Sequence, residues 1–311
     1  TKIFNDSIDF IGHTPLYKPE RWLEAVGLAN LDLYLKLESF NLTGSVKDRA
    51  ALGMILDLEA KGKLQKGGTL IEPTSGNTGI SLAALGAIRG YKTILVMPET
   101  MSVERRNFLK AYGAEVVLTP GDKGMAGAIE KAQALEKEIP GAVIPDQFSN
   151  PANPAYHEKT TGPEIWEQTG GNVDVFLAGV GSGGTFTGVG RYLKAQNPDI
   201  KVYALEPETS AVLSGRPSGK HGIQGIGAGF IPGNMDKNLA DGVLTVSDKA
   251  ALDNARLLAR TEGLFVGISS GAALAGVLKY VDEVGVKDGQ QLVTLLPDSG
   301  DRYLSTDLVQ G

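Results

Sequence analysis

The chain has no cysteine among its 311 residues, which excludes disulfides, thiolate metal sites and a cysteine nucleophile. Histidine is almost as scarce, since only His13, His157 and His221 occur and no two of them have the spacing of metal ligands. No stretch approaches the roughly 18 to 20 uninterrupted apolar residues of a membrane-spanning helix. The first residues also lack the apolar segment of a secretory signal. These absences together predict a soluble, cytoplasmic protein.

Basic residues are too few, and too scattered, for a nucleic-acid surface. The chain has 30 Lys and Arg against 36 Asp and Glu, so its formal net charge is −6. Glycine, in contrast, is abundant, with 41 residues, and many of them fall between predicted strands and helices. Glycine lets a loop approach a ligand closely, so these loops are the places to look for a site.

Short apolar segments alternate with helical patterns along most of the chain. Residues 31–38 alternate apolar and polar side chains, which predicts a strand with one buried face. Residues 45–62 predict a helix, and strand-then-helix pairs continue from there to a last predicted strand at 292–296. This order predicts parallel sheets that are covered by helices on both faces.

The predicted fold class is α/β with two domains, each a mostly parallel twisted sheet flanked by helices. An Asn/Pro cluster at 147–154 interrupts the pattern, so we place an N-terminal domain at residues 1–148 and a C-terminal domain at 149–311. Part of residues 1–35 is expected to pack on the C-terminal domain. Ligands of such sheets bind where strands lead into helices, which makes the strand-to-helix loops the candidate sites.

Lys47 occupies an unusual place for a lysine, the first turn of a predicted helix. Ser45 and Asp48 fit a capping box with Ser45 as the N-cap, which places Lys47 at the second helical position. An ammonium group is disfavoured there because the helix N-terminus carries a partial positive charge. We expect this amine to lose its proton readily, and a neutral amine suits Schiff-base chemistry. Taken alone, the position is better explained by an ordinary solvated lysine, because lysines are common at helix starts.

The loop Thr74–Gly79 follows a predicted strand and opens a helix. Four of its six residues are polar, although one N-cap needs only one such residue. The loop brings hydroxyl groups, a carboxamide and backbone N–H groups to the positive end of a helix. It therefore predicts a binding site for a carboxylate.

The loop Gly179–Thr185 matches the pattern G-x-G-x-x-G between a predicted strand and a predicted helix. Glu206, at the end of the next strand, lies near the spacing of a ribose-binding acid, so a Rossmann dinucleotide site is one interpretation. A tight turn without a ligand is another. Both functional interpretations, a dinucleotide or another phosphate compound, place an anion at the helix N-terminus.

A third loop, Gly267–Gly271, matches G-x-S-x-G and suggests the nucleophile elbow of an α/β-hydrolase. That fold requires an acidic residue and then a histidine after the serine. No histidine follows Ser269 in this chain, so the hydrolase interpretation fails.

Together these residues resemble the β-family, or fold type II, of pyridoxal-phosphate enzymes. The resemblance begins with Ser45–Arg49, Thr74–Gly79 and Gly181–Thr185. Within that family, the chain is similar to the cysteine synthases, that is, the O-acetylserine sulfhydrylases. The segments that indicate cysteine synthases within the family are Asn150–Pro154 with His157, Thr160–Trp166, Ile223–Phe230, Gly267–Gly271 and Arg302–Thr306. The likeness extends from about Ile11 to Thr306 in the order of the family.

The resemblance implies a role for each candidate residue, in an active site in the cleft between the two domains. Lys47 is expected to bind pyridoxal 5′-phosphate as a Schiff base and to act as the catalytic base. Ser269 is expected to meet the pyridine nitrogen, and Asn77 the phenolic oxygen. The residues expected to bind the cofactor phosphate, in place of a dinucleotide, are Gly181, Ser182, Gly183, Gly184 and Thr185. Those expected to bind the substrate α-carboxylate are Thr74, Ser75, Thr78 and Gln147.

The implied reaction converts O-acetyl-L-serine and sulfide to L-cysteine and acetate, by a ping-pong route through an α-aminoacrylate intermediate. The resemblance also implies a homodimer, and a regulatory partner in the C-terminal tail of serine acetyltransferase. Cystathionine β-synthases share the same core, so β-replacement with serine and homocysteine is the nearest alternative. A non-catalytic protein that only binds the acetyltransferase tail is another, but the intact Lys47 argues against it.

Overall fold

The computed structural model describes residues 3–310; Thr1, Lys2 and Gly311, which the predicted domain ranges include, lie outside the described residues. The strands of the described part are β1 (Leu16–Tyr17), β2 (Asp32–Leu37), β3 (Thr69–Pro73), β4 (Lys92–Pro98), β5 (Glu115–Thr119), β6 (Ala142–Val143), β7 (Val175–Gly179), β8 (Lys201–Pro207), β9 (Gly242–Val246) and β10 (Gln291–Leu296). The α-helices are α1 (Glu20–Ala25), α2 (Lys47–Ala60), α3 (Asn77–Arg89), α4 (Val103–Ala111), α5 (Gly124–Glu138), α6 (Ala152–Lys159), α7 (Thr161–Gln168), α8 (Gly184–Gln196), α9 (Asp248–Glu262), α10 (Ile268–Glu283) and α11 (Asp307–Gln310).

The chain forms two compact units. The first consists of Lys47–Asn153 together with the chain up to Ile11, and the second of Gly12–Val46 together with the chain from Pro154 onward. The chain therefore passes from the second unit to the first between Val46 and Lys47. The domain division at residues 148 and 149 stays a prediction.

The first unit contains a four-stranded sheet in the order β5-β4-β3-β6, in which every pair is parallel. Strand β4 is buried on both faces because its alternate side chains pack in opposite directions. Leu95 and Met97 pack with residues of α3 and α4, whereas Ile94 and Val96 pack with residues of α5. This arrangement is the reason why the strand is apolar throughout instead of alternating.

The second unit contains a six-stranded sheet in the order β1-β2-β10-β7-β8-β9. Strand β1 is antiparallel to β2, and the remaining pairs are parallel. Val175 and Leu177 of β7 face the core that contains α9 and α10, and Phe176 and Ala178 face the core that contains α7 and α8. Two mostly parallel sheets with helices on both faces confirm the predicted fold class.

The start of α2 differs from the prediction by one residue. The helix begins at Lys47, whereas Ser45 pairs with Asp298 in an antiparallel β-bridge. Val46 also donates its N–H to the carbonyl of Pro297, at 2.9 Å. The chain is therefore held in extended pairing up to Val46, and Lys47 occupies the first helical position instead of the second.

Two further properties concern the described residues only. Among residues 3–310, every helix is too short or too polar to cross a lipid bilayer. The same residues contain no group of three or more acidic or histidine side chains arranged to hold a metal ion.

Candidate active site

Lys47 lies at the N-terminus of α2 and is partly buried. The next residue, Asp48, is fully buried, and its carboxylate accepts a hydrogen bond from the Ser81 hydroxyl at 2.6 Å. Ser81 belongs to α3, one turn after Asn77. This bond fixes the first turn of α2 against the first turns of α3, so Lys47 and Asn77 both lie at helix N-termini that are held together.

The loops that contain the predicted carboxylate-binding residues leave the same edge of the first sheet. Strands β3 and β6 are parallel neighbours, and Thr74 follows β3 while Gln147 follows β6. The Thr78 hydroxyl donates to the side-chain carbonyl Oε1 of Gln147 at 2.7 Å. This bond holds the Gln147 side chain against the first turn of α3.

The other two loop residues make contacts within the first unit. The Thr74 hydroxyl accepts from the N–H of Gly76 at 3.2 Å and so closes the turn before α3. The Ser75 carbonyl accepts from the Arg105 guanidinium at 2.9 Å, which ties the loop to α4. The loop is thus held from two sides at the positive end of α3.

Glu72 is a residue of this site that the sequence analysis did not identify. It lies in β3, 3% exposed, and its carboxylate accepts from the backbone N–H of Asp146 at 3.2 Å and of Gln147 at 3.3 Å. Burial raises the pKa of this carboxyl to about 7, although the two N–H groups act in the opposite direction. The only signal in the sequence is an acidic residue inside an apolar strand.

Glu72 should give the fold a pH-dependent stability. Folding raises the pKa of this carboxyl from 4.5 to about 7. Between these two pH values the folded protein therefore keeps a proton that the unfolded chain has released. The free energy of unfolding therefore falls as the pH rises through this range, by about 3 kcal/mol at about 1.36 kcal/mol per pKa unit. The variant Glu72→Gln does not titrate. Urea unfolding should thus show wild type losing about 3 kcal/mol relative to the variant between about pH 4 and pH 8; a constant difference would contradict the assignment.

The predicted phosphate loop belongs to the second unit and joins β7 to α8. A Cβ atom at Gly181 would lie 2.2 Å from the carbonyl oxygen of Gly225, and one at Gly183 would lie 2.9 Å from the nitrogen of Met235. Gly183 also has φ +83°, a conformation that favours glycine. Helix α8 then begins at Gly184 with no acidic residue in its first turn. The loop therefore presents backbone N–H groups and a positive helix end to an anion.

Thr185, in the first turn of α8, has a histidine neighbour. The His157 ring is buried, with Nε2 3.4 Å from the Thr185 hydroxyl and Nδ1 2.7 Å from the Thr161 hydroxyl. Imidazole and hydroxyls thus fix one another inside the second unit, which gives Thr185 a defined orientation in the loop.

Glu206 has no ribose-binding role in this structure. Its carboxylate is buried and accepts from the N–H of Leu213 at 2.7 Å, and from the N–H and hydroxyl of Ser214 at 2.9 and 2.6 Å. Through these bonds the Glu206 carboxylate stabilises the turn that follows β8. The dinucleotide interpretation therefore lacks its acidic residue.

Ser269 is the second residue of α10, and the structure brings it close to the phosphate loop. A Cβ atom at Gly225 would lie 3.8 Å from the Ser269 hydroxyl oxygen. The carbonyl of the same Gly225 contacts Gly181, as described above. Gly225 therefore lies next to both Ser269 and the phosphate loop.

Asp298 shapes the turn before Ser269. The Gly267 N–H donates to the Asp298 carbonyl at 3.2 Å, and a Cβ atom at Gly267 would lie 1.9 Å from its carboxylate. The Tyr303 hydroxyl donates to the same carboxylate at 2.5 Å. Asp298 thus has a structural part in the start of α10 that its sequence position did not reveal.

A model of the family "pyridoxal-phosphate dependent enzyme" matches residues 8–298 of this chain. The chain belongs to this family. The enzyme is therefore dependent on pyridoxal phosphate, and the phosphate loop and Ser269 of its second unit fit that cofactor. The glycine loop suits a phosphate group, and a hydroxyl suits hydrogen bonding to a ring nitrogen.

Relatives of the enzyme are cysteine synthases and similar proteins. It is 52% identical to the cysteine synthase of Staphylococcus aureus (strain Mu50 / ATCC 700699) over 299 residues, which cover 96% of this chain and 94% of that protein. The crystal structure of cysteine synthase from Entamoeba histolytica matches with a TM-score of 0.94 and 43% identity, covering 100% of this chain and 92% of the other. An O-ureido-L-serine synthase structure matches with a TM-score of 0.93 and 44% identity, covering 100% and 96%.

Proposed function

We propose that this enzyme catalyses β-replacement, in which O-acetyl-L-serine and sulfide give L-cysteine and acetate. The observation that carries the proposal is the Thr78–Gln147 pair, which places a hydroxyl and a carboxamide at the helix start that contains Asn77. Such a group suits the α-carboxylate of an amino acid. The similarity to cysteine synthases, at 52% identity over 96% of the chain, supports this substrate class.

Lys47 has two tasks in this proposal. Its amine holds the cofactor covalently and, once the amino acid has displaced it, takes the α-proton. Pyridoxal phosphate supplies the electron sink that makes this proton acidic. Acetate then leaves the β-carbon with its bonding electrons, sulfide adds to the same carbon, and the Lys47 ammonium returns the proton to the α-carbon.

The remaining candidate residues bind and orient. Ser269 is assigned to the pyridine nitrogen, Asn77 to the phenolic oxygen of the cofactor. Since a hydroxyl does not force protonation of that nitrogen, Ser269 favours loss of a β-substituent over a long-lived carbanion. The residues assigned to the cofactor phosphate are Gly181, Ser182, Gly183, Gly184 and Thr185, and those assigned to the substrate carboxylate are Thr74, Ser75, Thr78 and Gln147.

Thr78 has a more specific part in this assignment than the sequence suggested. Its hydroxyl proton points to Gln147, so the hydroxyl orients that amide. A substrate carboxylate is then met by the Gln147 amide and by backbone N–H groups in the first turn of α3.

The proposed function predicts a selective product pattern. Purified enzyme is given O-acetylserine, O-phosphoserine or serine, each with sulfide, homocysteine or hydroxyurea, and the products are identified by mass spectrometry. We expect L-cysteine from O-acetylserine and sulfide to form at least tenfold faster than any other product. A faster reaction of serine with homocysteine would assign a cystathionine β-synthase, and a faster formation of O-ureido-L-serine would assign the activity named for the structural relative.

Cytoplasmic location, a homodimer and the tail of serine acetyltransferase as a partner are proposals that rest on the family resemblance. Light scattering of the purified enzyme measures its molar mass and so tests the homodimer. Titration with a peptide of the acetyltransferase tail, in competition with O-acetylserine, tests the partner.

A further inference from the structure

Glu72 places two carboxylate oxygens against two consecutive backbone N–H groups. One oxygen accepts from Asp146 at 3.2 Å and the other from Gln147 at 3.3 Å. Asp146 has φ +57°, so it lies in the left-handed region that residues other than glycine rarely adopt. Successive N–H groups around such a residue point to one side and form a concave binding site for an anion. Here the anion is a side chain of the protein itself.

Gln147 is consequently held at three points. Its N–H donates to Glu72, its carbonyl accepts from the Asn153 amide at 2.9 Å, and its side-chain oxygen accepts from Thr78 at 2.7 Å. A residue that only linked two elements would not need its backbone and side chain fixed together. This degree of restraint is typical of a side chain whose orientation matters to a ligand.

We propose that Glu72 is a positioning residue for the amino-acid substrate: it holds the Asp146–Gln147 turn so that the Gln147 amide faces the α-carboxylate. The inference rests on the proposed function of Gln147 in carboxylate binding, and deepens it by adding a residue that does not touch the substrate.

The structure also indicates why this residue is acidic. A glutamine at position 72 has one acceptor oxygen, and its amide N–H groups would face one of the two backbone donors. The turn would lose one hydrogen bond and one donor would be left buried without an acceptor, which is costly. Asp146 would then be free to leave its left-handed conformation, and Gln147 would turn away from the substrate carboxylate.

The test is a kinetic comparison of Glu72→Gln with wild type, using both substrates, at about pH 8, where a carboxyl with a pKa of about 7 is mostly ionised. We expect the KM for O-acetylserine to rise about tenfold, while kcat and the KM for sulfide stay within about twofold, because sulfide has no carboxylate. Glu115→Gln is the matched control, the same chemical change in an exposed ion pair with Lys92, and should behave as wild type. Glu72→Asp keeps the carboxylate but withdraws its oxygens by about 1.5 Å, so it should also raise the KM for O-acetylserine. This variant replaces Glu72→Gln in the test if Glu72→Gln does not fold.

Coupling to Gln147 separates positioning from general damage. In a Gln147→Ala background, Glu72→Gln should have no further effect on the KM for O-acetylserine, since the residue through which it acts is gone. An equal further rise in that background, or a fall in kcat with unchanged KM, would overturn the proposal.

A readout without catalysis distinguishes this inference from the proposed function. Amide hydrogen exchange at Asp146 and Gln147 should be at least tenfold faster in Glu72→Gln than in wild type, and unchanged in Glu115→Gln. If wild type makes no cysteine, the proposed function fails. The affinity for the amino acid, measured through the visible absorbance of the cofactor, then takes the place of the KM in the comparison. Unchanged exchange, or unchanged amino-acid affinity in Glu72→Gln, would overturn the role of Glu72 itself.

Discussion

Lys47→Ala is expected to lower turnover by at least about 10³-fold and to remove the visible absorbance of the lysine-bound cofactor. The methyl group of alanine can neither bond to the cofactor nor take the α-proton, so both tasks of Lys47 are lost in one change. Sulfide incorporation and the absorption spectrum of the purified variant measure the two losses. Loss of one without the other would show that the tasks belong to different residues.

Two control variants make the Lys47 result specific. Lys47→Arg places a long basic side chain at the start of α2 but provides no neutral amine, so it should be as inactive as the alanine variant. Lys61→Ala removes a lysine just beyond the same helix that pairs with Asp57 at the surface, and should keep full activity. A Lys47→Ala enzyme that retained turnover and colour would contradict the assignment.

The second large effect is expected from Gly181→Ala, which should weaken pyridoxal-phosphate binding by at least about 100-fold. The added methyl carbon would lie 2.2 Å from the Gly225 carbonyl, closer than Cβ atoms lie to other heavy atoms. The loop must therefore shift, and its N–H groups move away from the phosphate, at the loss of several charge-assisted hydrogen bonds. Titration of the cofactor into dialysed protein, followed by absorbance, gives the affinity.

Gly190→Ala is the matched control for this prediction. Gly190 lies in the middle of α8, where a Cβ atom would meet only side-chain carbons, the nearest being Cγ1 of Val202 at 3.3 Å. Alanine also favours the helix by about 1 kcal/mol. We expect cofactor affinity to change less than twofold in this variant. Equal affinity in Gly181→Ala and wild type would exclude this loop as the phosphate site.

The fold was largely predictable because its signals are local. Apolar strands that alternate with helices predicted two mostly parallel sheets, and β4, with its two buried faces, shows why the signal was clear. The loops Thr74–Gly79 and Gly181–Thr185 could be proposed as sites from the sequence, since each carries its polar or glycine-rich chemistry within a few consecutive residues. Local composition reports the chemistry of a loop directly.

The features that the sequence did not predict depend on contacts between residues that lie far apart in the chain. Glu72 bonds to backbone groups 74 and 75 positions further along the chain, so nothing beside it in the sequence shows its partners. The N-cap at Ser45 was predicted from a local pattern, but pairing with Asp298 holds that residue in a β-bridge. The bond from the Thr78 hydroxyl to Gln147 likewise joins residues 69 positions apart, which no local pattern shows.

The most direct measurement of the central claim is to fix the bond between enzyme and cofactor with borohydride and to map the modified peptide by mass spectrometry. The account predicts one modified lysine, Lys47, with loss of activity in proportion to the modification. A cofactor adduct on another lysine, or a fully active enzyme after complete modification, would contradict it.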